Sequence, residues 1–405
     1  MMTNPAGTGL LIINGGSSSI RFAVYTLDKI LKLTLKGKIE RIGLSDTRLN
    51  AREYFSGASN STSHSCAIQG NDHASVSREL MEWLSVHVGF SSINAVGHRL
   101  VHGMNFSDAQ LITPALLAEL QRVAPYDPEH LPLELALIRA FDERYPDLPQ
   151  VACFDSAFHH DMPRVASQLP LPRRYEELGL RRYGFHGLSC EFLLKELQRL
   201  GDPAATSGRV ILAHLGNGAS MTAVGAGKSI DTSMGFTPSG GMMMGTRCGD
   251  LDPGVETFLA RTGQLDSEQF YSMVNRESGL LGVSELGSDV RDLLALEADD
   301  VRAAEAIALF CYQATKLIGS YAAALSGLDT LVFAGGIGEN APQIRERICT
   351  NLGFLGITLD QKRNLESAPI ISADNGTVNV RVIATNEELI IARSVIRVLK
   401  FDGIQ

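Results

Sequence analysis

The clearest alternation of apolar and polar positions lies in residues 210–225, VILAHLGNGASMTAVG. Val210, Ile211, Leu212 and Ala213 are too few for a helix face and suit a buried strand. His214, Leu215, Gly216, Asn217 and Gly218 follow as a tight turn, in which the glycines accept positive φ or a close backbone approach. Alternation returns at Met221, Ala223 and Val224, so the unit reads strand, turn, strand. Residues 10–25, LLIINGGSSSIRFAVY, repeat the plan. Read without gaps, each residue meets the one 200 positions later: Gly16 meets Gly216, Ser17 meets Asn217, and Ala23-Val24 meets Ala223-Val224. A glycine-flanked turn points several backbone N–H groups to one side, a nest that suits phosphate. Two such units imply similar α/β halves facing each other across a cleft, each with one phosphate-gripping turn. Two unrelated hairpins are the alternative.

The pattern elsewhere predicts further elements. Residues 30–60 alternate weakly and extend the first sheet, and residues 56–73, rich in Ser, Asn and Gly, read as an exposed loop. Leu80, Met81, Leu84 and Val88 place a helix over 77–88. A strand over 93–97 delivers His98, Arg99, Val101 and His102 past its end, a usual place for a site in α/β proteins. Thr113-Pro114 caps a helix to about Val123, a proline-bounded break surrounds His130, and a helix runs to about Glu143. A strand over 151–154 ends in Asp155. The glycines around Phe185-His186 shape the backbone before a helix capped by Ser189 and ended by Gly201. Residues 233–249 form a long glycine-rich loop, residues 301–325 one long helix, and residues 386–400 the last helix.

Composition narrows the class. The chain has 405 residues, enough for two or three cored domains, with 44% hydrophobic and 20% charged residues. No apolar run approaches a membrane span, and Met1-Met2-Thr3-Asn4-Pro5 shows no basic-then-apolar signal peptide, so a cytoplasmic location is expected. The six cysteines lack CxxC spacing, which argues against a disulfide framework and a zinc site. A net charge of −9 argues against nucleic acid as partner, while local arginines still allow an anionic substrate.

Individual motifs carry competing readings. Arg99 alone reads as a surface ion pair, Asp155 as a turn residue, and Glu388 as a helix-dipole partner. His159-His160 lacks HExxH context and is not a metal site. Gly227-Lys228-Ser229 resembles the end of a P-loop, but position 222 is Thr and no helix follows. Gly336, Gly338 and Ala341 satisfy GxGxxA after a strand over 331–334, with Asp360 ending a possible strand, a formal match to a dinucleotide fingerprint and so to an oxidoreductase.

Nine blocks in order, NGGSSSIRF (14–22), HRLVHG (98–103), CFDSAFH (153–159), RRYGFHG (181–187), HLGNG (214–218), SMGFTP (233–238), MGTRCG (244–249), GGIGEN (335–340) and TNEEL (385–389), resemble the acetate kinases. That family belongs to the acetate and sugar kinase, Hsp70 and actin superfamily. The resemblance implies a duplicated α/β actin-like ATPase (ribonuclease H-like) fold, with two domains around a central cleft. It implies an N-terminal domain over 1–155, a nucleotide-binding domain over 156–385, and a final segment, 386–405, packing back on the first. It implies ATP-dependent phosphorylation of acetate to acetyl phosphate and ADP, with propionate or another short-chain carboxylate as the alternative and a non-catalytic nucleotide-binding protein as a further one. It also implies a homodimer.

Roles follow residue by residue from the same resemblance. Asp155, His186, Arg247 and Arg99 fall at the catalytic positions, and Arg99, Val101, His130, Phe185 and Pro238 at the acyl-substrate positions. Arg21, where the family usually has Lys, falls on the nucleotide side. So do His214, Leu215, Gly216, Asn217, Gly218, Asp289, Val290, Arg291, Gly335, Gly336, Ile337, Gly338, Glu339 and Asn340. Asn14 and Glu387 match the residues for Mg²⁺, with Mn²⁺ as a substitute, an oxygen arrangement that this ion favours. The family's PLHNP block departs to Pro128-Glu129-His130-Leu131-Pro132, after a small insertion; Glu129 replaces an apolar pocket residue, and Met104 replaces a glycine.

Overall fold

β1 (Gly9–Gly15) is buried along its whole length and pairs antiparallel with β2 (Ser19–Leu27). The structure, a computed structural model, describes residues 9–401 other than 17–18, 29, 44–45, 55–60 and 71. Ser17 of the first turn and the opening Met1–Pro5 stretch therefore lie outside the described residues. The chain divides into two units, one of Met1–Ala157 with Asn386–Gln405, the other of Phe158–Thr385.

In the first unit the other strands are β3 (Leu31–Glu40), β4 (Arg48–Tyr54), β5 (Ser61–Ala67), β6 (Ile93–Leu100), β7 (Gln110–Leu111) and β8 (Gln150–Phe154), and the sheet order is β5-β4-β3-β2-β1-β6-β8-β7. The helices His73–His87 and Leu131–Arg144 cover one face, packing Leu80, Leu84, Leu137 and Phe141 on Leu11, Ile13 and Phe22. Each such buried side chain stabilises by roughly 1.5–3 kcal/mol. The last helix, Glu387–Leu399, packs on β1 and β6. A Cβ on Gly97 would lie 2.6 Å from Ile391 Cγ2 and 2.7 Å from Val395 Cγ2, so only glycine lets this helix sit down on β6.

In the second unit β9 (Arg209–Leu215), β10 (Ala219–Gly225), β11 (Lys228–Thr232), β12 (Thr330–Ala334) and β13 (Asn379–Val382) form a sheet in the order β11-β10-β9-β12-β13. The helix Gly187–Arg199 packs Leu193 and Leu197 on Val210, Leu212 and Val332. The helix Val301–Ala324 buries Ile307, Phe310, Ala314, Ile318 and Tyr321 and contacts β9, β10 and β11. Both sheets contain one core: three antiparallel strands, β3-β2-β1 and β11-β10-β9, continued by two parallel ones, β6-β8 and β12-β13. The expected duplicated α/β architecture is present.

Several sequence expectations need correction. The gapless 200-residue pairing holds for β1 and β9 but slips on the return strands. Gly15 pairs with Ile20 while Leu215 pairs with Ala219, so the first turn encloses residues 16–19 and the second 216–218. Part of the expected loop over 56–73 is β5, an edge strand paired with β4 along Arg48–Tyr54. Its serines mislead because Ser61 and Ser65 accept from or donate to Arg52 and Asn50 across the ladder, and a polar strand suits an exposed edge. β6 runs to Leu100, since Arg99 and Leu100 pair with Cys153 and Phe154 of β8; His98 and Arg99 are strand residues. Asp360 ends no strand; it caps the short helix Gln361–Leu365 by accepting from Arg363 N. Gly335–Asn340 is itself a helical turn before Pro342–Cys349, and with Asp360 misplaced the dinucleotide fingerprint fails.

Candidate active site

Four elements of the first unit bring Asn14, Arg99, Asp155 and Glu387 together. Asn14 ends β1, Arg99 lies near the end of β6, Asp155 follows β8, and Glu387 opens the last helix. Asn14 Nδ2 donates to Glu387 Oε2 at 2.9 Å, both residues buried. Arg99 Nε and Nη2 both donate to Asp155 Oδ2, at 3.0 and 2.6 Å, and Nη1 donates to the Gly15 carbonyl at 3.4 Å. Burial alone would push the Arg99 guanidinium down, but the charges of Asp155, Glu387 and Glu134 carry it above its ordinary value. Arg21 is exposed on β2, directly opposite Asn14 in the ladder and therefore on the same face.

The acyl-substrate candidates of this unit lie alongside. Val101 N donates to both oxygens of Glu134, at 3.2 and 3.1 Å. Burial pushes the Glu134 carboxyl well above its usual range, against the pull of Arg99. Glu134 was not legible in the sequence, because an acid in a first helical turn reads as a dipole partner. His130 Nδ1 is 2.9 Å from Asp127 Oδ1, both buried. Glu129 is half-buried beside it.

In the second unit the Gly216–Gly218 turn is the focus. His186 holds φ +58° and caps the helix Gly187–Arg199; its ring stacks on His214 at 4.3 Å, and its Nδ1 is 2.9 Å from Ser220 Oγ. A Cβ on Gly218 would lie 3.3 Å from His186 Nε2 and 3.8 Å from Arg247 Nη1. Arg247 Nη1 also donates to the Pro238 carbonyl at 3.1 Å, and Gly245 N donates to the Asn217 carbonyl at 2.9 Å, so the 233–249 loop closes on the turn. Ser189, expected as the cap, lies inside the helix instead; its hydroxyl meets His214 Nδ1 and Thr385 Oγ1, each at 2.8 Å. A serine in the first helical turn reads as a cap, which hid this role.

Phe185 is held from behind. The His159 ring, which burial depresses to a pKa of about 4, is neutral at pH 7. A carbonyl only accepts, so Nε2–H donates to the Phe185 carbonyl at 3.0 Å and Nδ1 accepts from Ser229 at 2.9 Å. Gly335, at φ +77°, lets the Gly335–Asn340 turn press on the hairpin; a Cβ there would lie 2.6 Å from the Leu215 carbonyl oxygen. Glu339 Oε1 accepts from Gly335 N and Thr385 N, at 2.9 and 3.1 Å. Arg345, fully buried and unseen by sequence reading, donates to the carbonyls of Gly338, Glu339 and Asn364 and to the side chains of Asn364 and Ser367. Asp289, Val290 and Arg291 open the helix Val290–Leu296, where Asp289 and Arg291 pair with each other.

Among the described residues no group of three or more His, Cys, Asp or Glu is placed to hold a metal. Magnesium takes one or two oxygen side chains and completes its shell with water and phosphate. The oxygen-bearing pair Asn14 and Glu387 matches that need. Also among the described residues, no helix is long and apolar enough to cross a membrane.

Comparison with known proteins agrees along nearly the whole chain. The Acetokinase family profile matches residues 9–393. An acetate kinase of Rhodopseudomonas palustris (strain ATCC BAA-98 / CGA009) is 43% identical over 397 residues, covering 96% of this chain and 98% of that protein. A propionate kinase of Citrobacter rodentium (strain ICC168) is also 43% identical, over 96% of each. Among solved structures, Porphyromonas gingivalis acetate kinase superposes with a TM-score of 0.85 at 36% identity, covering 97% of this chain and 100% of that one. A Francisella tularensis propionate kinase gives a TM-score of 0.87 at 36% identity, covering 96% and 98%. The two matched sheets are thus the duplicated actin-like ATPase fold. The chain belongs to the Acetokinase family and is a phosphotransferase whose acceptor is a carboxyl group.

Proposed function

We propose that the protein transfers the γ-phosphoryl group of ATP to acetate, giving acetyl phosphate and ADP reversibly by direct in-line displacement. The observation that carries this reading is the convergence of His186 Nε2 and Arg247 Nη1 on Gly218, at 3.3 and 3.8 Å from its Cβ position. An imidazole and a guanidinium facing a glycine turn suit a group that carries spread negative charge in the transition state. A carboxylate acceptor is already ionised near pH 7, so the reaction needs no strong base. Its difficulty is bringing one anion to another, which cations and positioning relieve.

Arg99 and Arg247 supply the positive charge and His186 a donor to the transferring group. Asp155 accepts two N–H groups of Arg99 and so fixes the plane of its guanidinium, a positioning role rather than proton removal. Val101 and His130 of the first unit and Phe185 and Pro238 of the second, all buried, are the residues assigned to the acyl substrate. The Gly216–Gly218 turn with His214 and Leu215, the Gly335–Asn340 turn, Arg21 and Asp289–Arg291 take the nucleotide. Asn14 and Glu387 would hold Mg²⁺, which neutralises charge on the phosphates when bound. A homodimer belongs to the same proposal; Val301, Leu309 and Tyr312 leave exposed apolar positions along Val301–Ala324.

Propionate is the second reading, favoured because a propionate kinase is as similar as an acetate kinase, both at 43% identity. A methyl-sized pocket discriminates by only roughly 1–3 kcal/mol per methylene. The test is ATP-dependent acyl phosphate formation, trapped with hydroxylamine, across acetate, propionate, butyrate and a no-acid control, with Mg²⁺ and with EDTA. A magnesium-dependent signal largest with acetate is expected; one largest with propionate moves the assignment to the second reading. Silence with every acid from folded, ATP-binding protein would overturn both.

A further inference from the structure

We infer that a small oxyanion binds a second site, a pocket of the second unit formed by Arg164, Arg173 and Arg181. The cavity is about 100 Å³, with Gln168 and Leu180 also in its wall. Pockets for drug-sized ligands run to roughly 300–1,000 Å³, so this one suits a single phosphate, sulfate or carboxylate group rather than a nucleotide. Three guanidinium groups and one carboxylate, Glu176, line it. Arg164 engages both oxygens of Glu176, Nη1 with Oε1 at 2.7 Å and Nη2 with Oε2 at 2.9 Å. Two arginines are left in excess, in a chain whose net charge is −9.

Arg181 is the anchor. Its guanidinium carbon lies over the Tyr183 ring, 4.6 Å from the centroid, a cation–π contact that holds it in place. Its Nε–H is buried and, among the described residues, has no hydrogen-bond partner. A buried donor without an acceptor is costly, more so on a charged group. An oxyanion seated in the pocket supplies acceptors to this fork, with Arg173 as the second, more exposed contact.

The pocket wall is joined to the segment that presents Phe185 and His186. Arg182 N donates to the Ser167 carbonyl at 2.7 Å, and its guanidinium Nη1 donates to the carbonyls of Thr232, Ser233 and Met234. Tyr183 N and Gly184 N both donate to the Gly235 carbonyl. A ligand on Arg181 therefore ties down the strand of backbone leading into the candidate site.

The test is isothermal titration of the full-length protein with inorganic phosphate, sulfate and succinate, at ionic strength matched with chloride. Arg181→Met and Arg247→Ala are titrated beside it, with circular dichroism confirming folded protein. Binding should be about tenfold or more weaker in Arg181→Met, the size of a lost charge-assisted contact, and unchanged in Arg247→Ala. Arg173→Met, at an exposed position that leaves the fold intact, should weaken binding several-fold and guards against misfolding of the first variant. Binding of phosphate and sulfate alone marks a tetrahedral ligand, and binding of succinate alone a carboxylate. The proposal stands only on loss with Arg181→Met and retention with Arg247→Ala. No binding, or any other pattern among these variants, overturns it, whatever the outcome of the acyl phosphate assay.

Discussion

His186 and Met104 hold φ values of +58° and +47°, where a side chain other than glycine or asparagine is strained by roughly 1–2 kcal/mol. At His186 the strain aims the ring at Gly218 and keeps it stacked on His214. The glycines flanking Phe185-His186 made that special backbone legible from the sequence. At Met104, where the family has glycine, the strain has no such return. Met104→Gly and Met104→Ala both delete the side chain, so the glycine variant should be more stable by about 1 kcal/mol, the reverse of the order in a strand or helix. Urea denaturation of the pair decides it. Arg247→Ala should lower turnover about a hundredfold or more, the scale of losing one transition-state donor, while ATP binding survives. An unchanged rate would remove Arg247 from the proposed role. Glu129→Leu should shift the ratio of rates with acetate, propionate and butyrate, and identical ratios would clear Glu129 of the pocket. Ser189 and Glu134 were not legible, because a serine near a helix start reads as a cap and an acid in a first turn as a dipole partner. Only tertiary contacts separate those readings.

Among elements, the paired hairpins show both what pattern reveals and where it stops. Short apolar runs bounded by glycine turns located β1 and β9, and the alternation after each turn located β2 and β10, although all four strands are largely buried. The pattern did not reveal that one turn is a residue longer, because both return strands are buried over most of their length and a one-residue slip still sets buried positions against buried ones. The Gly335–Asn340 turn depends on a support the sequence hid. Arg345 sits fully buried, its pKa lowered to about 10 by burial, and ties the turn's last carbonyls to the helix Gln361–Leu365. Arg345→Met should leave those acceptors unpaired and cost about 3–5 kcal/mol, with weaker nucleotide binding in whatever folds. A denaturation midpoint close to that of the parent would refute the clamp.

For the whole molecule, two buried histidines set an acid limit. His98, bonded through Nε2 to Gln150 Oε1, and His159 both have pKa values lowered to about 4 by burial. Unfolded, each takes a proton near pH 6.5, so the unfolded chain binds more protons between about pH 6.5 and 4. Their stabilisation is complete above about pH 6.5 and is lost as pH falls through that window, on the order of 2–3 kcal/mol each. Urea midpoints should drop across it, and His98→Gln, weaker at neutral pH, should show the shallower drop. The duplication itself was legible at this scale, because both halves bury the same order of strands and so repeat the same alternation. The edge strand β5 was not, its polar composition being that of a loop.

The placement of the last helix has a consequence for how the protein is made. Glu387–Leu399 packs on β1 and β6 and supplies Glu387 to Asn14, yet it leaves the ribosome long after the strands it covers. At about 5–20 residues per second, β1 waits through some 370 residues of synthesis, the separation of Asn14 and Glu387 being 373, before its covering helix exists. Through that interval Gly97 and the apolar residues around it face either water or a chaperone. The first unit is therefore completed only after the second has been synthesised, and a nascent chain stalled short of position 387 carries no assembled Asn14–Glu387 pair.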